Sequence, residues 1–136
     1  MISIIAIIWL LVGMVSADHI SSCGPAKNWA IAKDFNRVVE EFCRDFDGTT
    51  LLSGNGVKKT LHGITMTNDA PGHVDFEIKN LSRFPHPINY SACEYKFKRL
   101  SEPGTICYGW ENKDTRGGTW VVGNNEVTYF AVPYYN

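Results

Sequence analysis

The chain has 136 residues, with 13 Lys and Arg against 14 Asp and Glu, giving a formal charge of −1. Near-neutrality offers no electrostatic basis for nucleic acid or an anionic membrane surface as partner. With 44% hydrophobic residues and no charge block, low-complexity tract or internal repeat, it has the material for a packed core.

Residues 1–17, MISIIAIIWLLVGMVSA, carry an apolar core from Ile4 to Val12 and end in Val15-Ser16-Ala17. The pattern predicts a secretory signal peptide cleaved before Asp18. Its apolar run is shorter than the ~20 residues of a spanning helix. Residues 18–136 are then predicted to be one secreted, extracellular domain with no stable membrane insertion.

From Ala26 to Phe46 the apolar positions Ile31, Phe35, Val38, Val39, Phe42, Cys43 and Phe46 form one stripe at helical spacing. Lys33, Asp34, Arg37, Glu40, Glu41 and Arg44 take the opposite face. Pro25 suits the start of this helix and Gly48 its C-terminal cap. VKKTLHGITMT and GHVDFEIKN read as paired strands, the second alternating Val74, Phe76 and Ile78 with Asp75, Glu77 and Lys79. Ala70-Pro71-Gly72-His73 reads as the turn between them. Ser91-Ala92-Cys93-Glu94 is a capping-box pattern opening a second helix, which Glu102-Pro103-Gly104 must end. GGTWVVG and EVTYFAV flank Gly123-Asn124-Asn125 as a hairpin, and Ile20 is the candidate for one further short strand.

The predicted order α-β-β-α-β-β implies an α+β fold, with two antiparallel helices packed on one antiparallel sheet. Four cysteines in the predicted mature chain read as two disulfides, because their spacing fits no zinc site. Antiparallel helices would bring Cys43, near the end of the first, against Cys93, in the first turn of the second. Cys23 would likewise meet Cys107 beyond the other ends. Two sequons, at Asn80 and Asn89, are candidate glycosylation sites.

The leader, the CG pair, a helix ending EEFC, a KNLS strand end, SACEYKFKRL, RGGTW and the Tyr-rich end together resemble small secreted cysteine-rich proteins of fungi. Many of these are effector candidates of plant-associated fungi, and some share an α/β sandwich with the killer toxins of smut fungi. The resemblance spans nearly the whole mature chain. It implies an extracellular, virulence-type role against a host or competitor, and carries over no catalytic residue.

No nucleophile elbow, metalloprotease helix, phosphate loop or calcium loop is present, so the sequence points to no cofactor or metal. His62, His73, Glu77 and Arg83 are the residue types a secreted ribonuclease would need, and adjacent strands could bring the two histidines together. His86, between two prolines, reads as a solvated loop residue. Trp110, Tyr134 and Tyr135, near loops or the terminus, are the candidate binding residues, while Trp120 and Phe130 read as core. The resulting expectation is a binder of a host or competitor protein or glycan. A ribonuclease-like hydrolase and a killer-type membrane toxin are the alternatives. The sequence sets no oligomeric state.

Overall fold

The computed structural model describes residues 18–136. The predicted signal peptide, residues 1–17, lies outside the described residues. Ten strands occur among the described residues: β1 His19–Cys23, β2 Ala30–Ile31, β3 Thr50–Leu51, β4 Gly56–Thr65, β5 Pro71–Asn80, β6 His86–Pro87, β7 Tyr108–Gly109, β8 Asp114–Thr115, β9 Gly118–Val122 and β10 Val127–Tyr135. Two helices, α1 Ala32–Phe46 and α2 Tyr90–Lys98, complete the set, with a 3-10 turn at Arg99–Ser101 after α2.

The expected α-β-β-α-β-β order with a single sheet is therefore wrong. The chain is mostly β, and its strands form a five-stranded sheet, β1-β9-β10-β5-β4, a three-stranded sheet, β2-β8-β7, and the pair β3-β6. Every pairing is antiparallel. The expectation failed on short elements. Five of the strands not foreseen contain two residues each, too few to show a period.

The α1 stripe buries Phe35, Val38, Val39 and Phe42 in one cluster with Val74, Phe76, Ile78, Phe97 and Tyr129. Phe42 stacks on Phe76 with ring centroids 4.7 Å apart, and Phe97 meets Phe42, Phe76 and Tyr129 edge-on at 5.4–5.6 Å. Such offset and T-shaped pairs match the positive ring edge to the negative ring face. The two disulfides are Cys43–Cys93 and Cys23–Cys107, the pairs expected from the sequence. The first joins the last turn of α1 to the first turn of α2. The second ties β1 to the residue preceding β7. Among the described residues no helix is long and apolar enough to cross a membrane.

Local signals fell differently from expectation in three places. Helix α1 begins at Ala32 rather than near Pro25, because Ala30 and Ile31 pair with Thr115 and Asp114. Asn89, not Ser91, caps α2: its Oδ1 accepts from Ala92 N–H at 3.1 Å, and Asp47 Oδ1 accepts from Tyr90 N–H at 2.8 Å. Pro71 opens β5 opposite Thr65, so the β4–β5 turn lies four residues earlier, at Met66–Asp69, where Asp69 N–H donates to Met66 O at 2.9 Å and Asp69 takes φ 67°.

Candidate functional site

The small sheet builds a cleft at the end of the large one. Asp114, on its central strand β8, is 3% exposed and pairs with Ile31 on one side and Gly109 on the other. Its Oδ2 accepts the Thr67 hydroxyl proton at 2.7 Å. That hydroxyl also lies 3.1 Å from Trp29 O, but the carboxylate is nearer and charged, and Thr67 N–H already serves Trp29 O at 2.8 Å. The Trp29 indole N–H donates to Ala26 O at 2.8 Å, so this side chain is held at both its main chain and its ring.

Gly109 makes the close approach of β7 possible. A Cβ there would lie 2.2 Å from Asp114 Oδ1 and 3.2 Å from Trp29 Cζ3. Asp114 Oδ1 thus occupies the space a side chain at 109 would fill, and it has no hydrogen-bond partner among the described residues. Trp110, at the start of the β7–β8 turn, is 70% exposed and meets Tyr108 edge-on at 6.0 Å. Tyr135, at the end of β10, is 40% exposed. Trp29, Trp110, Tyr135 and Asp114, with Lys27 and Asn68 at the rim, line a cleft of about 480 Å³. That volume suits a small-molecule site of a few polar groups set among aromatic walls.

Of the three aromatic candidates, the fold brings Trp110 and Tyr135 together and sends Tyr134 elsewhere. Residues 134 and 135 are neighbours on one strand and so face opposite sides of the sheet. Tyr134 stacks on His73 at 5.9 Å, on the face turned away from the helices. Trp29 and Asp114 were missed. The Trp29–Asp114 arrangement depends on pairing between segments distant in sequence, and no local pattern signals it.

The β4–β5 register places His62 opposite His73, with rings 5.3 Å apart. His73 Nδ1 lies 2.8 Å from Asn136 Oδ1, and its Nε2 lies 3.9 Å from Asp75 Oδ1. The other two ribonuclease candidates do not join this pair. Glu77 lies four residues further along β5, opposite Lys58, whose Nζ is 3.5 Å from its Oε2. Arg83 lies beyond the end of β5, on an exposed loop. Glu77 and Arg83 thus do not converge on the histidines, so the four residues considered for the ribonuclease alternative are not brought together. Among the described residues no group of three or more His, Cys, Asp or Glu could hold a metal ion.

His86 is not the solvated loop residue expected. It is half-buried in β6, and its Nε2 is 2.6 Å from the buried Tyr129 hydroxyl. Burial, reinforced by the Lys96 ammonium, holds the imidazole below its ordinary pKa, while burial pushes the Tyr129 phenol far above its own. Burial likewise lowers Lys96, whose ammonium lies 4.9 Å from the Tyr129 ring centroid.

The two sequons have opposite settings. Asn89 is exposed, and its side-chain nitrogen has no partner among the described residues. Asn80 is fully buried, and the expectation of a glycan there does not fit this environment. Its amide nitrogen donates to Leu51 O at 3.0 Å and Phe84 O at 2.8 Å, and its Oδ1 accepts from Ser82 N–H and O–H. A sugar on that nitrogen would displace a bond and enter the core.

No protein-family model, curated protein or solved structure matches the chain.

Proposed function

We propose that this is a secreted, effector-type protein that binds a host or competitor molecule in the Trp29–Trp110–Tyr135 cleft. The observation carrying the reading is Trp110, a tryptophan held 70% exposed beside a cleft with a buried carboxylate at its floor. Large aromatics held open to solvent are the residues that dominate binding energies where they anchor a partner. Two disulfides fit an oxidising environment, the compartment that the leader at residues 1–17 implies. The resemblance to fungal effectors supplies the direction of action, towards a host or competitor.

The test is surface binding by the labelled mature protein on intact plant and fungal cells. Saturable binding that falls at least tenfold in Trp110→Ala is the expected result. Binding that is unchanged in Trp110→Ala would remove the cleft from the function.

A further inference from the structure

The cleft contains one group whose chemistry selects a ligand class. Asp114 is more than nine-tenths buried, yet only one of its carboxylate oxygens has a protein partner among the described residues. Oδ1 is not sealed in the core: it opens to the cleft, where water or a ligand hydroxyl can donate to it. Oδ1 lies where a Cβ on Gly109 would sit, in the cleft that Trp29, Trp110 and Tyr135 also line. A ligand matched to this cleft would carry a donor for Oδ1 and present an apolar face to the aromatic rings.

Two chemistries satisfy that description: a cation in an aromatic cage, and a sugar. Electrostatics decides between them. The Arg116 guanidinium already lies 5.6 Å from the Trp29 ring centroid, and the Lys27 ammonium stands at the rim. They offset the attraction that the Asp114 and Glu111 carboxylates would offer a cation, and Arg116 already engages the Trp29 ring. The same carboxylates disfavour an anion. A neutral polyol meets neither obstacle. Its hydroxyls both donate and accept, which suits a lining that mixes an acceptor at Asp114 with amides at Asn68 and Asn112. Asn68 Oδ1 is taken by Ala70 N–H at 3.2 Å, which leaves its amide nitrogen as a donor.

We infer that the cleft binds a neutral glycan, with a pyranose ring stacked on the Trp110–Tyr135 wall and a ring hydroxyl donating to Asp114 Oδ1. The inference rests on the cleft being the binding site proposed above, and it names the ligand.

The experiment is a fluorescence titration of the mature protein with neutral oligomers of N-acetylglucosamine, glucose, mannose and galactose. Choline serves as the cationic probe and a sialylated trisaccharide as the anionic one. At least one neutral oligomer is expected to quench tryptophan emission saturably. The affinity should fall tenfold or more in Trp110→Ala and in Asp114→Asn, and choline should give no saturation. Asp114→Asn can keep an oxygen for the Thr67 hydroxyl while replacing the open acceptor with a donor. Thermal melts of both variants separate lost recognition from lost folding, and Tyr135→Ala provides a second exposed variant. Saturable binding of choline or the sialylated sugar instead, or no neutral oligomer bound, overturns the glycan assignment. If cell-surface binding depends on Trp110 but no neutral oligomer competes with it, the assignment fails and the binding reading stands. If cell-surface binding ignores Trp110, the binding reading itself fails.

Discussion

At the scale of single residues, buried polar side chains control two measurable properties. His86 Nε2 can accept the Tyr129 hydroxyl proton only while the ring is neutral, and its pKa is held below the ordinary 6.5. Between the folded and unfolded pKa values the unfolded chain therefore binds more protons, so stability rises with pH there. The contribution is present above about pH 6.5 and is lost as pH falls through the folded value. Melting temperature should accordingly drop from pH 7.5 to pH 5, and the His86→Gln variant should show a shallower drop. Equal slopes for the two proteins would show that His86 is not a source of the acid sensitivity. Asn80 satisfies two carbonyls and two donors from Ser82, so Asn80→Ala leaves several buried groups unpaired. That change should destabilise by about 1–3 kcal/mol, read as a lowered denaturation midpoint. Peptide mapping after expression in a eukaryotic secretory host should find sugar on Asn89 and none on Asn80.

At the scale of elements, the exposed edge of the large sheet is the feature to explain. β4 is an edge strand of ten residues, and such edges invite pairing with other chains. Helix α1 covers part of it: Asp34 Oδ2 accepts Thr65 N–H at 2.8 Å, and Arg37 donates to Gly63 O at 2.5 Å. Gly63, at φ 86°, makes the bulge between His62 and Ile64 that turns this carbonyl to the helix. Lys59 then reaches Asp45 at 2.6 Å. Asp34→Ala should cost about 1 kcal/mol and raise the aggregation rate on heating. An unchanged aggregation rate would mean the edge is protected by something other than α1. Much of this layer was legible in the sequence. Residues Ile31 to Phe46 marked α1 by their stripe, and Val74, Phe76 and Ile78 marked β5 by alternation. The cleft was legible only in its exposed parts, Trp110 and Tyr135. Asp114 and Trp29 meet through β2, β7 and β8, three strands of two residues whose partners are set by tertiary packing. Tyr134, one residue from Tyr135, shows the same gap, since strand parity is fixed only once the register of β10 against β5 is known.

At the scale of the whole molecule, the disulfides divide the labour between core and cleft. Cys43–Cys93 closes a loop of 50 residues and joins the two helices where they lie over the sheet. Cys23–Cys107 closes 84 residues and fixes the chain immediately before β7. Around Cys107 the hold is reinforced: its carbonyl accepts Arg116 N–H at 3.1 Å, and Gly24 N–H donates to Gly117 O at 3.0 Å. Both ends of the segment that carries Trp110, residues 107 to 117, are thereby anchored to the β1 end of the fold. Loop-closure entropy depends only weakly on length, so each crosslink should be worth a similar ~2–5 kcal/mol. Their effects on binding should differ. Replacing Cys23 and Cys107 with serine should lower the denaturation midpoint about as much as replacing Cys43 and Cys93. Only the first pair should also weaken cell-surface binding severalfold under conditions where both variants are folded, because it frees the base of the Trp110 hairpin. Denaturation curves and binding isotherms on the two double variants provide the comparison. Equal losses of affinity would mean that the cleft draws its order from the core as a whole rather than from the Cys23–Cys107 anchor.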